Sequence, residues 1–498
     1  MSKSKYIRYR IDKQLDKSKL PSPVFEAIPE FIELYWKAWE LAWEHVLYRE
    51  DSPQKFYIDE AMTPDTIWIW DTLFMSLFCK YGYTEFPGIE SLNNFYFILH
   101  DNKNHPARVQ HPDNPPLFAW VEYEYAKLTG DLMRLKWVLE ENQYLQKHFE
   151  FIEKAHRFKF IPGCNIPMMV KMTKYGYVWS GTSSGMDNTP RGRGKYWKIL
   201  WVDLIAQQAL SAYYISLIAS CLHNSHLQSI FLQRYIEIKK LINRYYWDEQ
   251  DTLYYDLNRY CPQNQIKVIT PASFWPMLAE VPSREQSIKM VQHIKNPETL
   301  GGFLPWPTVA RNDKNFDEKG QYWRGSVWVP TSYMATKALE KYGFFEVART
   351  TSEQLLKVMY QTFHDFTPHT IWEAYCPIAP KPATYKRNAR YVRPEFCGWS
   401  ALAPISLFIE NLLGFYSIDA LRNEIHWNLH KDYSGKLGIQ NLHFGNIYTD
   451  ILYEENQFRV KSNLPYSLIV NKSEILEIKP GQNNFNLKNW KPLKIKSQ

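Results

Sequence analysis

Two carboxylic acids stand in settings where an acid can do chemistry. Asp187 lies in Gly181-Thr182-Ser183-Ser184-Gly185-Met186-Asp187-Asn188-Thr189-Pro190-Arg191, a run of turn-forming residues. Glu373 lies in Thr370-Ile371-Trp372-Glu373-Ala374-Tyr375-Cys376-Pro377, an apolar and aromatic run in which a carboxylate needs a purpose or a partner. Partial desolvation among aromatics raises a carboxyl pKa toward the range of a proton donor. Cleaving a glycosidic bond requires such a pair: one acid protonates the leaving oxygen, and the other attacks the anomeric carbon or takes a proton from water. If the pair works through water, the two groups should face each other roughly 6.5–9.5 Å apart. Each residue also has a plain structural alternative, an Asx turn for Asp187 and a buried ion pair with an arginine for Glu373.

Two further segments place aromatic rings beside polar groups. In Pro64-Asp65-Thr66-Ile67-Trp68-Ile69-Trp70-Asp71 the alternating Trp68 and Trp70 face one side of an extended segment. Asp71 then either caps the apolar helix that follows or reaches sugar hydroxyls beside a stacking Trp. In Gln321-Tyr322-Trp323-Arg324-Gly325-Ser326-Val327-Trp328, Arg324 either binds or orients a carboxylate, or stacks on Trp at the surface. The chain holds 19 Trp, 34 Tyr and 27 Phe. Most of these pack a core, but the Trp surplus suggests a cleft that stacks flat, amphipathic ligands such as sugars.

Composition excludes other classes. With 45% hydrophobic and 22% charged residues, the 498-residue chain is globular, and disorder is excluded for most of it. Its net charge of +7 is mild for this length. Basic residues gather at the ends (Lys3, Lys5, Arg8, Arg10; Lys488, Lys491, Lys494, Lys496) and not as a stripe on one element, so no nucleic-acid partner is expected. Cys79, Cys164, Cys221, Cys261, Cys376 and Cys397 are scattered without a C-x-x-C pair. Buried free thiols are expected, with no metal and no cofactor. A structural calcium ion has no ligand cluster that demands it. The basic N-terminus lacks the apolar stretch of a signal peptide, and no run of 18 apolar residues suggests a membrane span. The expectation is a cytoplasmic protein that acts on a small glycoside or oligosaccharide. Oligomeric state is not legible.

These residues must be positioned by helices. From Phe25 to Leu47, then at 71–82, 91–99, 117–128, 131–157, 200–222, 225–245, 271–280, 284–293, 326–342, 345–363 and 398–414, apolar residues recur at helical spacing. Long loops rich in Gly, Pro, Asn and Trp join them, and loops that long are usually functional. The reading is a mostly α chain: a polar arm at 1–20, an (α/α)6 toroid at 21–415, and a small antiparallel β domain at 416–498. Short β-prone stretches at 424–429, 435–442, 445–453, 457–462, 466–470 and 475–478 make up the last part. Periodicity alone does not separate the toroid from a stacked solenoid.

At these motifs the sequence resembles the trehalase-like (α/α)6-barrel glycosidases, above all glycoside hydrolase family 63 and its bacterial members that hydrolyse glucosylglycerate or mannosylglycerate. The elements carrying the resemblance are Trp68-Ile69-Trp70-Asp71, Pro115-Pro116-Leu117-Phe118-Ala119-Trp120, Ser184 through Arg191, Asp203 with Gln207, Tyr322-Trp323-Arg324-Gly325, Trp372-Glu373 and Gly398-Trp399-Ser400-Ala401-Leu402. They occur in family order. The resemblance implies that Asp187 is the general acid, that Glu373 is the general base, and that the anomeric configuration inverts. It also implies that Trp68, Trp70, Asp71, Tyr322, Trp323 and Arg324 line the sugar subsite. The site expected on this basis has Trp68, Trp70, Trp323 and Trp399 as walls and Trp120 as a further substrate contact, while Asp71, Asn188, Asp203 and Arg324 orient hydroxyls or the catalytic groups.

The sequence departs from the family at three places. Two trehalase signature loops are absent, which makes trehalose a poor substrate guess. Ser326 replaces a usual proline. A basic insert at 377–394 (Lys381, Lys386, Arg387, Arg390, Arg393) is either a solvated lid or a contact for an anionic substrate group. Two other readings compete with the glycosidase. One is a sugar epimerase using histidines such as His100, His105, His111, His364 or His369. The other is a carbohydrate-binding protein without catalysis. A phosphorylase is a smaller alternative.

Overall fold

A computed structural model describes residues 7–8, 14–60, 65–385, 390–394, 398–430 and 432–486. Pro64, Lys386, Arg387, Cys397 and the lysine-rich ends named above, apart from Arg8, lie outside these residues.

Among the described residues, six helical segments form an inner ring. They are Ile69–Cys79, Phe118–Thr129, Val202–Cys221, Trp275–Leu278, Val329–Lys341 and the continuous run Gly398–Leu402 and Ala403–Leu412. Each packs on the next, and the last packs on the first, so the ring closes on itself. Between successive inner segments the chain passes through an outer helix: Asn93–Leu99, Tyr144–Glu153, Ser225–Tyr245, Arg284–Lys295 and Phe345–Asp365, with Glu30–Trp43 preceding the first. Burial explains the sequence pattern. An inner helix has neighbours on all sides, so Ile69–Cys79 is buried at every residue and shows little polar face. Outer helices bury one stripe; Ser225–Tyr245 buries only Phe231, Tyr235, Ile238 and Ile242.

Val202–Cys221 is long and apolar enough to cross a membrane, but 78% of its most apolar window is buried inside the molecule, as expected of a core helix. Aromatic side chains line the ring's interior. Trp70 packs edge-on against Phe74, Phe74 against Trp120, and Trp120 lies nearly parallel to Tyr333.

The C-terminal part builds two sheets. One is antiparallel throughout and orders Ser22–Phe25, Leu437–Phe444, Ile447–Glu454, Gln457–Ser462 and Gly481–Asn486. The other orders Ser417–Asp419, Glu424–Trp427, Tyr466–Val470 and Glu474–Ile478. Two corrections follow. Glu424–Trp427 pairs with Tyr466–Val470 in parallel, so the region is not purely antiparallel. Phe25 opens no helix: Ser22–Phe25 is a strand paired with Leu437–Gln440, and the first helix begins at Glu30. Trp427 joins the two parts, with its ring stacked on Phe415 and its Nε1–H donated to the Leu413 carbonyl at 2.6 Å. Among the described cysteines, Cys79, Cys164, Cys221, Cys261 and Cys376 are free thiols.

Candidate active site

The loops that enter the inner helices meet at one end of the ring and enclose a cavity of about 600 Å³. Asp187 and Glu373 both line it, and Trp68, Trp70, Trp323 and Trp399 stand around them. Asp71 and Tyr322 complete the sequence-predicted residues found in the wall.

The Asp187 loop is held at both ends. Upstream, Asn114 donates its side-chain N–H to the Ser183 carbonyl at 2.8 Å, and Ser184 Oγ donates to the Gly181 carbonyl at 2.7 Å. Gly185 has φ +80°, and a Cβ there would come 2.8 Å from the Trp70 ring, so only glycine lets the loop lie on that indole. Downstream, Asn188 bridges to the facing loop: its Nδ2 donates to the Gln321 carbonyl at 3.0 Å, and its Oδ1 accepts from the Trp323 N–H at 2.8 Å. Asn188 is therefore a brace between two walls of the cavity. Four residues past Asp187, the guanidinium of Arg191 is buried between two carboxylates. It reaches Asp203 at 2.8 and 3.0 Å and Asp256 at 2.7 and 2.6 Å, over the ring of Trp201.

Glu373 is fixed by strand-like bonds around it. Tyr375 and Val327 exchange backbone hydrogen bonds of 2.9 Å, and the Ala383 N–H donates to the Ala374 carbonyl at 3.0 Å. Glu373 itself is 4% exposed. Its Oε2 accepts from the Arg393 backbone N–H at 3.3 Å, and its Oε1 lies 3.6 Å from Arg393 Nε. Burial pushes the Glu373 carboxyl up to about 6, against the pull of the Arg393 guanidinium. Arg393 also pairs with Glu60, another buried acid in the wall. Asp71 lies beside Glu60, and burial together with that neighbour holds Asp71 well above the usual carboxylate range.

One alternative for Asp71 drops out, and three expectations drawn from the sequence are revised. Asp71 is not a helix cap: the helix starts at Ile69, and Asp71 turns its acid to the cavity. Asp203 does not face the cavity; it is consumed by the Arg191 ion triad. Trp120 lies deeper on the ring axis, in the wall of a separate cavity of about 210 Å³ at the far ends of the inner helices. Lys80 and Lys337 both pair with Glu410 in that wall. Arg324 is half-buried outside the cavity wall, near the phenol of Tyr196, whose hydroxyl lies 3.5 Å from the Asp187 carbonyl.

Glu60, His111, Arg390 and Arg393 line the cavity without having been singled out as site residues from sequence. Only the basic character of the 377–394 insert pointed to the two arginines.

Comparison with known proteins identifies the family. Residues 100–387 match the model of the mannosylglycerate hydrolase MGH1-like glycoside hydrolase domain. The chain belongs to that family of glycoside hydrolases. An uncharacterized protein of Borreliella burgdorferi is 27% identical over 423 residues, which is 80% of this chain and 83% of that protein. The fold matches a Thermus thermophilus family 63 mannosylglycerate hydrolase, solved in complex with glucose, at a TM-score of 0.56 and 16% identity over 76% of this chain and 99% of that one. It also matches a sialidase at a TM-score of 0.69 and 12% identity; the match covers 94% of this chain but only 40% of the sialidase. At these identities the structural matches speak for a six-hairpin glycosidase fold, mostly helical with a C-terminal sheet region.

Proposed function

We propose that the chain hydrolyses an α-glucosidic or α-mannosidic bond of a small glycoside with inversion. Asp187 protonates the leaving oxygen, and Glu373 takes a proton from the attacking water. The observation that supports this most is the meeting of these two acids, from distant loops, in one cavity walled by four indoles. A base near 6 is ionised at neutral pH, yet still basic enough to accept a proton in the transition state. The developing charge at the anomeric carbon is positive, so the carboxylates around it lower the barrier. The indoles present flat faces for the C–H surface of a sugar ring.

The second half of the substrate is a small acid in this reading. Arg390 is exposed in the cavity wall on the basic insert, where its guanidinium can meet a carboxylate. That agrees with the hydrolase of Thermus thermophilus, which is named for mannosylglycerate. The epimerase reading needs a pair of histidines flanking the sugar. Among the described residues His111 alone of the histidines lines the cavity, and burial holds it down at about 4.

A screen of α-linked disaccharides, glucosylglycerate and mannosylglycerate tests this. At least one should release free sugar, with the glycosylglycerates turned over faster than neutral disaccharides of the same hexose. Sugars that bind in a calorimeter and are never cleaved would instead make the cavity a binding site only.

A further inference from the structure

We propose that Arg393 is a positioning residue for Glu373: seated on Glu60, its guanidinium and backbone N–H hold the Glu373 carboxylate toward the cavity as the base. The role in catalysis rests on the glycosidase reading, but the contact itself is measurable without turnover.

The geometry is specific. Arg393 contacts Glu373 twice, through its backbone N–H at 3.3 Å and its Nε at 3.6 Å, and it spends Nη2 on Glu60. Arg393 is delivered by a short hairpin, Thr384–Tyr385 paired with Arg390–Tyr391, that belongs to neither helical ring. That hairpin is tied down beside the Tyr322 segment, where the Tyr322 N–H donates to the Thr384 carbonyl at 2.8 Å and the Val392 N–H to the Ala383 carbonyl at 2.9 Å. One element thus places the cation, a second carries Glu373, and a third, after the strand Phe56–Ile58, supplies the Glu60 anchor.

Arg393 supplies the positive charge that acts on Glu373. Glu60 pushes the Glu373 carboxyl up, Glu60 and Asp59 do the same to Asp71, and Asp187 lines the same cavity. Arg390 is exposed at the rim, and His111 is neutral. Burial and Glu60 both favour the protonated acid at Glu373, and the Arg393 guanidinium opposes them. Two contacts to one carboxylate also restrict its rotation, so the base points at a fixed place. Without the Arg393 guanidinium, Glu373 holds its proton to a higher pH, and a smaller fraction of it is available as a base.

The test compares wild type with Arg393→Gln and Arg393→Lys, and it reads the Glu373 titration directly from carboxyl 13C resonances, assigned with Glu373→Gln. Glu373 should titrate near 6 in the wild type, about 1 unit or more higher in Arg393→Gln, and close to the wild-type value in Arg393→Lys. In parallel, the acid limb of the kcat/KM profile should move up with it, costing roughly fivefold at pH 6 and approaching tenfold at lower pH. A Glu373 titration that Arg393→Gln leaves in place overturns the proposal, whatever the activity does. If the titration moves and no glycoside is cleaved by the wild type, the positioning contact stands and the glycosidase reading falls.

Discussion

Asp187→Asn and Glu373→Gln should each lower turnover of an α-glycoside by roughly 10²–10⁴-fold while leaving the protein folded. Both substitutions keep the shape of the side chain and remove only its proton chemistry. The two losses should differ in kind. Without the acid, the penalty scales with how poor the leaving group is, so an aryl glycoside with a good leaving group should recover much of the Asp187→Asn deficit. No leaving group repairs Glu373→Gln, because the missing step is deprotonation of water. Steady-state kinetics on a native-type glycoside and on its nitrophenyl counterpart separate the two, and circular dichroism with thermal melting confirms folding. Equal recovery of both variants on the aryl substrate contradicts the assignment. The second acid then contributes something other than base chemistry.

The largest effect on stability is expected at Arg191. Its guanidinium is buried with Asp203 and Asp256 against it and Trp201 beneath it. Arg191→Met keeps the stem but leaves two buried carboxylates facing each other. Breaking a buried network in this way costs about 3–5 kcal/mol. The deficit should shrink as pH falls. Burial already raises Asp256, and Arg191 is the main influence pulling it down. Without the arginine, its folded-state pKa lies further above the unfolded value. A carboxyl raised in the folded state binds its proton there first, so stability rises as pH drops through the raised value. Urea unfolding at pH 7.5 and at pH 5 measures this, and adding Asp203→Asn and Asp256→Asn should recover much of the loss. A variant as stable as wild type at pH 7.5 means that the triad is solvated or rearranged. The same variant should turn over slowly even where it is folded, because Arg191 anchors the loop that carries Asp187.

How far the sequence carries can be judged at particular residues. The inner helices were legible because burial on all sides leaves long apolar runs, as in Val202–Cys221. Asp187 and Glu373 were legible because a polar acid within turn residues, or within an aromatic run, stands out. Two acids at nearly the same helical position show the limit. Asp71 is the third residue of one inner helix and faces the cavity; Asp203 is the second residue of another and faces Arg191. A rotation of a fraction of a turn decides between substrate site and structural ion pair, and sequence periodicity does not fix it. Trp120 fails for a related reason: its ring lies on the ring axis but at the wrong height, beneath Phe74 and Trp70. Pairing of Ser22–Phe25 with Leu437–Gln440 joins the two ends of the chain, and no local pattern encodes it. Glu60 was hidden for the same reason, and Arg393 showed only as one of several basic residues in the insert at 377–394. Each is an ordinary charged residue until the fold sets it beside Glu373.

In the proposed reaction Glu373 delivers water to the face of the sugar opposite the bond that Asp187 protonates. The anomer of the first-formed sugar tests it most directly. Proton NMR during the opening minutes of hydrolysis of an α-glycoside should show the β-anomer first, with the α-anomer growing only by mutarotation. The α-anomer as first product would contradict the account, because retention requires one of the acids to attack the anomeric carbon itself.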